Sequence, residues 1–168
     1  MKTINFNITA LEAEYHELSE QDKALVDAAK NATRNSYAPY SGFRVGAAIL
    51  LDNGTVITGS NQENAAFPSG TCAERSACFY AAAQHPGVPF KKIAIAAWPS
   101  GKEPSQCTPQ EWESLFQALP ISPCGACRQA LLEYENKYSD IQVILFGREK
   151  VYIFPSIKSL LPFSFVEF

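Results

Sequence analysis

A three-layer α/β/α sandwich, built on one mixed sheet of about five strands, is the fold class this 168-residue chain predicts. Three observations lead there. Apolar residues alternate with a period of two around a Gly-containing turn near the start, which is a hairpin pattern. Segments with helical spacing alternate with short apolar runs through the middle. A second pair of short strands follows near the end, so one sheet with helices on both faces accommodates all of it.

The elements follow in order. Ser19 with Asp22 resembles a capping box, and Ala24, Leu25, Ala28, Ala29 and Ala32 recur at helical spacing to about Asn35. After the turn-rich 36–42 stretch, Phe43, Val45, Ala47, Ile49 and Leu51 alternate. Asp52-Asn53-Gly54 turns the chain, and Thr55 to Asn61 returns as the second strand of a hairpin. A second helix is expected from Cys72 to His85, ended by Pro86-Gly87, and Ile93 to Trp98 reads as a buried strand. A third helix opens at Pro123-Cys124, where a proline lacking its N–H is tolerated, and Ala130, Leu131 and Tyr134 extend its apolar face. Gln142 to Phe146 and Lys150 to Phe154 are the last strands.

Composition bounds the function. With 46% hydrophobic and 12% aromatic residues the chain suits a single domain over residues 1–168 with a substantial core. The charge of −3, from 14 basic and 17 acidic residues, comes without a basic run, which argues against a nucleic-acid partner. No sustained apolar stretch marks a leader or membrane span at the N-terminus, so no membrane partner and a cytoplasmic location are expected. Five cysteines are an awkward odd number for a disulfide framework but are available to bind metal in a reducing compartment.

Residues 99–120 interrupt the alternation with Pro, Gly, Ser and acidic residues around a possible short helix at Gln110 to Leu119. This insertion is long for a strand-to-helix connection, and it is a candidate lid or interface element.

The chemistry begins at Pro123-Cys124-Gly125-Ala126-Cys127. Two residues between cysteines at a helix start let both sulfurs converge on one ion, and the helix N-terminus favours thiolate. Alone, the pair is ambiguous between a zinc site and a redox couple. Thr71-Cys72-Ala73-Glu74 opens another helix and adds a third thiol with a carboxylate two residues on, which a redox pair does not need. Together the two segments form the three-cysteine variant of the zinc deaminase signature, in which the Glu moves protons and does not ligate. Three ligands, Cys72, Cys124 and Cys127, would hold one Zn²⁺ per chain and leave a fourth tetrahedral position for water. Three thiolates with one Zn²⁺ sum to −1, which blunts the metal as a Lewis acid, so positive groups are required nearby. Arg75 and, less directly, Arg128 are candidates to hydrogen bond the sulfurs.

At this point the sequence resembles the small, homotetrameric cytidine deaminase family. The resemblance runs from Tyr37 to Phe165: residues 37–48, then Asn61-Gln62-Glu63-Asn64-Ala65, Cys72-Ala73-Glu74-Arg75, Ser122 to Gln129, and Leu160-Leu161-Pro162 with Phe165. It implies a cytidine deaminase-like fold and the hydrolysis of cytidine or deoxycytidine to uridine or deoxyuridine plus ammonia, in pyrimidine salvage. It also implies a homotetramer or, failing that, a dimer. By the same resemblance Asn61 and Glu63 would bind ribose hydroxyls, Phe43 would pack against base or sugar, and Phe165 would close a neighbouring subunit's pocket. Glu74 would carry protons from the attacking water to N3 and to the leaving amine.

The insertion departs from the family pattern, as do Gln62, at a position often apolar, and Phe67, where Tyr is common. Cys107 is read as incidental and Cys78 as a core residue. Two other readings stand beside the nucleoside one. A related deaminase acting on another amino-heterocycle, such as blasticidin S, would share the zinc motif. A non-catalytic zinc-stabilised binding module would need a fourth protein ligand, which neither His16 nor His85 is placed to supply.

Overall fold

In a computed structural model, which describes residues 1–99, 102 and 104–166, the chain builds a mixed sheet of six strands with helices on both faces. In chain order the elements are β1 (Leu11–Ala13), α1 (Glu20–Ala32), β2 (Arg44–Leu51), β3 (Val56–Ser60), α2 (Ala73–Gln84), β4 (Phe90–Trp98), α3 (Pro109–Leu115), α4 (Gly125–Lys137), β5 (Gln142–Phe146) and β6 (Val151–Phe154). The spatial order is β1-β6-β5-β4-β2-β3. Every neighbouring pair is antiparallel except β4 and β5, whose parallel pairing requires the long crossover that carries α3 and α4.

The strand expected at 142–146 and the hairpin at 43–61 form as read, and the helix expected at 72–85 lies within one residue at each end. The first helix, expected to about Asn35, ends at Ala32 and passes into a 3-10 turn over Thr33–Asn35, and the short helix expected at 110–119 ends at Leu115. Ser19 caps α1 by accepting from the Asp22 N–H. The sixth strand, β1, is too short to read from periodicity. It exists because Leu11 to Ala13 pair in register with Ile153 to Val151, and Lys150 Nζ reaches Glu12 Oε1 at 2.6 Å across that edge.

The core lies in two layers. On one face α2 and α4 bury Ala73, Ala77, Cys78, Ala81, Leu131 and Leu132 against Ala47, Ile49, Ile93, Ile95 and Leu145. On the other, α1 supplies Leu25, Val26 and Ala29 against Ala48, Ala94, Ala96 and Ile144. Alanines dominate where helices approach closely. A Cβ on Gly59 would stand 2.5 Å from the Ala77 nitrogen and 2.6 Å from the Ala73 oxygen, so β3 and the start of α2 meet only because this residue has none. That contact fixes the height of Cys72 above the sheet.

The insertion takes an unexpected position for a lid. Its helix α3, capped by a reciprocal Thr108–Glu111 box, packs on the α1 face. Trp112 (5% exposed) and Phe116 (2%) enter the core there beside Trp98 and Phe146 in a run of edge-to-face rings. Its end is pinned by backbone bonds from Gln117 N to Ala97 O, Arg148 N to Gln117 O and Glu149 N to Ala118 O. Ser100, Gly101 and Glu103 lie outside the described residues. Cys107 packs partly buried at the edge of this layer, and Cys78 is fully buried in the other.

Candidate active site

Two helix N-termini face each other across the α2/α4 layer, and each is capped by a cysteine. Cys72 is the N-cap of α2 and Cys124 the N-cap of α4, while Cys127 sits one turn into α4 and is fully buried. The sulfurs of Cys72 and Cys124 are 3.9 Å apart and those of Cys124 and Cys127 3.5 Å, and all three lie within 4.8 Å of one another. Spacing within the chain brings Cys124 to Cys127, and the Gly59 contact brings Cys72 to both.

Among the described residues this group has three donors, with no fourth His, Cys, Asp or Glu joining it. Three convergent thiols on two helix N-termini are a donor set suited to zinc, and a tetrahedral ion held by them keeps one position open. The thiols already share charge unequally. A hydrogen bond from Cys127, followed by one from Arg75, draws the Cys72 thiol down to about 5. Cys127 moves the opposite way because its proton is the one shared with the Cys72 sulfur. A thiolate at Cys72 is the direction the surroundings favour, since Arg75 Nη2 lies 3.8 Å from its sulfur and the α2 N-terminus adds positive potential.

Arg128 is oriented elsewhere. Its guanidinium donates to Pro123 O (2.8 Å), Leu160 O (2.7 Å) and Ser122 Oγ (2.8 Å), all oxygens, so its work is to hold the loop before Cys124. Of the two arginines singled out from sequence, Arg75 alone is hydrogen bonded to a cysteine sulfur.

Glu74 occupies the first turn of α2 and is 4% exposed. Burial raises its pKa above the ordinary carboxylate range, and the charge on Cys72 pushes the same way. A buried carboxyl that holds its proton more tightly than usual, beside a cluster of thiols, suits proton transfer near neutral pH.

Cys72, Glu74, Arg75 and Cys124 line a cleft of about 710 Å³, the size of a small-molecule site, and the fully buried Cys127 is not among its lining residues. Phe43, Asn61 and Glu63 line it as well. The rim is prearranged. Asn61 spends its Oδ1 on Val45 N (2.8 Å) and the Ser36 hydroxyl and one amide proton on Phe43 O (2.8 Å), leaving its second amide proton available. Glu63 Oε2 accepts from Tyr40 N (2.8 Å) and Ser41 N (3.2 Å), and Oε1 accepts from the Ser41 hydroxyl. That hydroxyl first, with the two backbone N–H groups, holds the Glu63 pKa below its usual value.

Sequence reasoning did not find the partners of Glu63, Tyr40 and Ser41, or the outer wall contributed by Ile121 and Ser122. The first two lie within the quoted 37–48 segment, but nothing local says that it folds over residue 63. Gln62 turns its amide back to Asn35 O and Ser60 Oγ, and Phe67 stands exposed at the mouth with its ring 6.0 Å from that of Tyr40. Phe165 is 63% exposed and does not line the cleft of its own chain.

The site agrees with what the chain resembles. The family model for the cytidine and deoxycytidylate deaminase zinc-binding region matches residues 19–143. A cytidine deaminase from Sporosarcina psychrophila is 40% identical over 113 residues, spanning 67% of this chain and 68% of that one. The crystal structure of a cytidine deaminase from Burkholderia pseudomallei superposes with a TM-score of 0.69 at 35% identity, covering 88% of this chain and all of its own. That of Mycobacterium tuberculosis cytidine deaminase gives 0.62 at 29% identity over 86% of this chain and 96% of its own. The match of the zinc-binding region over residues 19–143, together with these relatives, shows that this chain belongs to the cytidine deaminase family.

Proposed function

We propose that this enzyme hydrolyses the exocyclic amine of cytidine, deoxycytidine or both, releasing ammonia and the corresponding uridine, with one zinc ion per chain held by Cys72, Cys124 and Cys127. The observation that carries the reading is the buried Glu74 carboxyl with three convergent cysteine sulfurs, where Glu74, Cys72 and Cys124 line a nucleoside-sized cleft. Zinc held there supplies Lewis acidity, which makes water a competent nucleophile at neutral pH. Glu74 takes a proton from the attacking water and returns it to N3 of the base as the C4–O bond forms. It then takes the second proton from the resulting C4 hydroxyl and delivers it to the amine as the C4–N bond breaks and C4=O forms. Arg75 offsets the thiolate charge through Cys72. Asn61 offers its second amide proton and Glu63 its remaining lone pair to neighbouring sugar hydroxyls, and Phe43 gives the base or sugar an apolar face.

The reading treats residues 1–168 as one catalytic domain working as a homotetramer in the cytoplasm, within pyrimidine salvage. Cys72, Cys78, Cys124 and Cys127 form no disulfide, which suits a reducing compartment. Association is supported by Phe79 and Tyr80, half exposed side by side on α2, and by the exposed Phe67 and Phe165. Phe165 is read as completing the cleft of a neighbouring copy. The test is ammonia release from cytidine, deoxycytidine and blasticidin S, measured alongside zinc content. Turnover of either nucleoside at about one zinc per chain is expected; turnover of blasticidin S alone would overturn the substrate assignment.

A further inference from the structure

The C-terminal segment from Leu160 to Val166 crosses α4 and is tied to it by two adjacent residues. Arg128 Nη1 donates to Leu160 O at 2.7 Å. Gln129, the next residue, brackets Phe165: its Nε2 donates to Phe165 O at 2.6 Å, and its Oε1 accepts from Phe165 N at 3.3 Å. The N-terminal arm supports the segment separately, with the Phe6 ring 4.6 Å from that of Phe163 and 60° to its plane. A side-chain amide that uses both its donor and its acceptor on one residue fixes that backbone as a strand partner would. Ordering the half-buried Gln129 side chain and a largely exposed segment costs conformational entropy. The ordered residue as a whole stays 63% exposed, so the bracket fixes the backbone from which its side chain is presented.

We propose that Gln129 is a positioning residue that holds Phe165 at the angle needed to complete the neighbouring copy's cleft, with Phe6 steadying the same segment. The inference rests on the reading of Phe165 given above. It links two duties in one element, since α4 bears Cys124 and Cys127 for its own metal site and, two residues beyond Cys127, aims an aromatic ring at another.

The experiment is a double-mutant cycle on the full-length, zinc-loaded enzyme: Phe165→Ala, Gln129→Met and the pair. Gln129→Met is expected to raise KM about fivefold with kcat within about twofold, as loss of a few exposed hydrogen bonds implies. Zinc content and oligomeric state should stay unchanged, and amide hydrogen exchange at Phe165 should accelerate. Added to Phe165→Ala, the same change should have no further effect. Additive losses, or an unaltered KM in Gln129→Met where Phe165→Ala raises it, would overturn the positioning role alone. An unaltered KM in Phe165→Ala would remove the reading of Phe165 and this inference with it. Gln129→Glu, which keeps the length but loses the donor to Phe165 O, should reproduce the KM rise. Loss of zinc in both Gln129 variants would instead make the residue a support of the metal helix and reject the proposal.

Discussion

The two faces of the sheet are built by opposite rules. On the α2/α4 face α2 packs through small residues, Ala73, Ala77 and Ala81, with the Cβ-less Gly59 beneath its start, and this close approach brings polar groups into a cleft with bonding capacity to spare. The α1/α3 face is made of large rings, and its charges satisfy one another. Lys30 is 7% exposed, yet its ammonium meets Glu113 at 2.7 Å and Asp27 at 3.6 Å, and it lies 5.0 to 5.5 Å from the ring centres of Tyr15, Phe116 and Phe146. Tyr15 in turn donates to Asp27 at 2.8 Å, and burial first, then Asp27, raises its pKa. Reactivity belongs where packing leaves valences open, and stability where it closes them. Substitutions on the first face should therefore move activity more than stability, and those on the second the reverse.

The largest effect on the reactive face is expected at Cys124. Cys124→Ala should lose bound zinc and bring turnover to background, and a variant that kept one zinc per chain would reject its role as a ligand. Glu74→Gln comes next. It should keep its metal while kcat falls by about 10²- to 10⁴-fold, because the side chain keeps its shape and loses the proton. Metal analysis and steady-state kinetics on the two variants separate holding the ion from using it.

Trp112→Ala is the matching break on the other face. Trp112 is 5% exposed, wedged between Trp98 and Phe116, and stacked under the Arg34 guanidinium at 3.8 Å. Its truncation should cost about 3–5 kcal/mol in denaturant unfolding. In folded protein kcat/KM should stay within about twofold, since Trp112 packs in the α1 layer and does not line the cleft. A Trp112 variant of ordinary stability but poor activity would mean that the insertion acts on the cleft after all.

The same contrast explains what could be read from sequence. Cys72-Ala73-Glu74 and Cys124-Gly125-Ala126-Cys127 declare themselves because their geometry is set within one helical turn. The hairpin and the helices were legible for the same reason. The insertion was not: Trp112, Leu115 and Phe116 carry helical spacing, but periodicity says that a face is apolar without saying which surface covers it. Glu135 shows the limit more sharply. A glutamate within a helix reads as a solvated charge, yet it is 2% exposed and accepts from Ile141 N, Ile157 N and Lys158 N. Those partners lie six or more residues away, as do Ser41 for Glu63 and Phe165 for Gln129. Pairings of that range come from the fold, and no local pattern records them.

Glu135→Ala would strand three backbone N–H groups, two of them at Ile157 and Lys158 just before the C-terminal segment, and should cost about 3 kcal/mol in the same unfolding measurement. It lies on the reactive face but belongs with the closed valences, so it refines the rule: what matters is whether a group's bonds are already spent. A loss under about 0.5 kcal/mol would show that water replaces the carboxylate and that the segment is held by Gln129 and Arg128 instead.

Glu63 sits between the two classes, with three bonds spent and one lone pair left, and should give the smallest effect. In Glu63→Gln the amide oxygen can keep the Tyr40 and Ser41 N–H bonds, while the NH₂ group turns the Ser41 hydroxyl into an acceptor. The rim then survives, and only the group offered to the sugar changes from acceptor to donor. KM for the nucleoside should rise about three- to tenfold, with unfolding unchanged. The wild-type carboxylate has its pKa lowered by those same donors, so Glu63 itself should add no rise in KM between pH about 8 and 5. An equal rise in KM for a nucleoside lacking the sugar hydroxyls would place the effect on the rim's shape, and Glu63 would join the residues whose bonds are all internal.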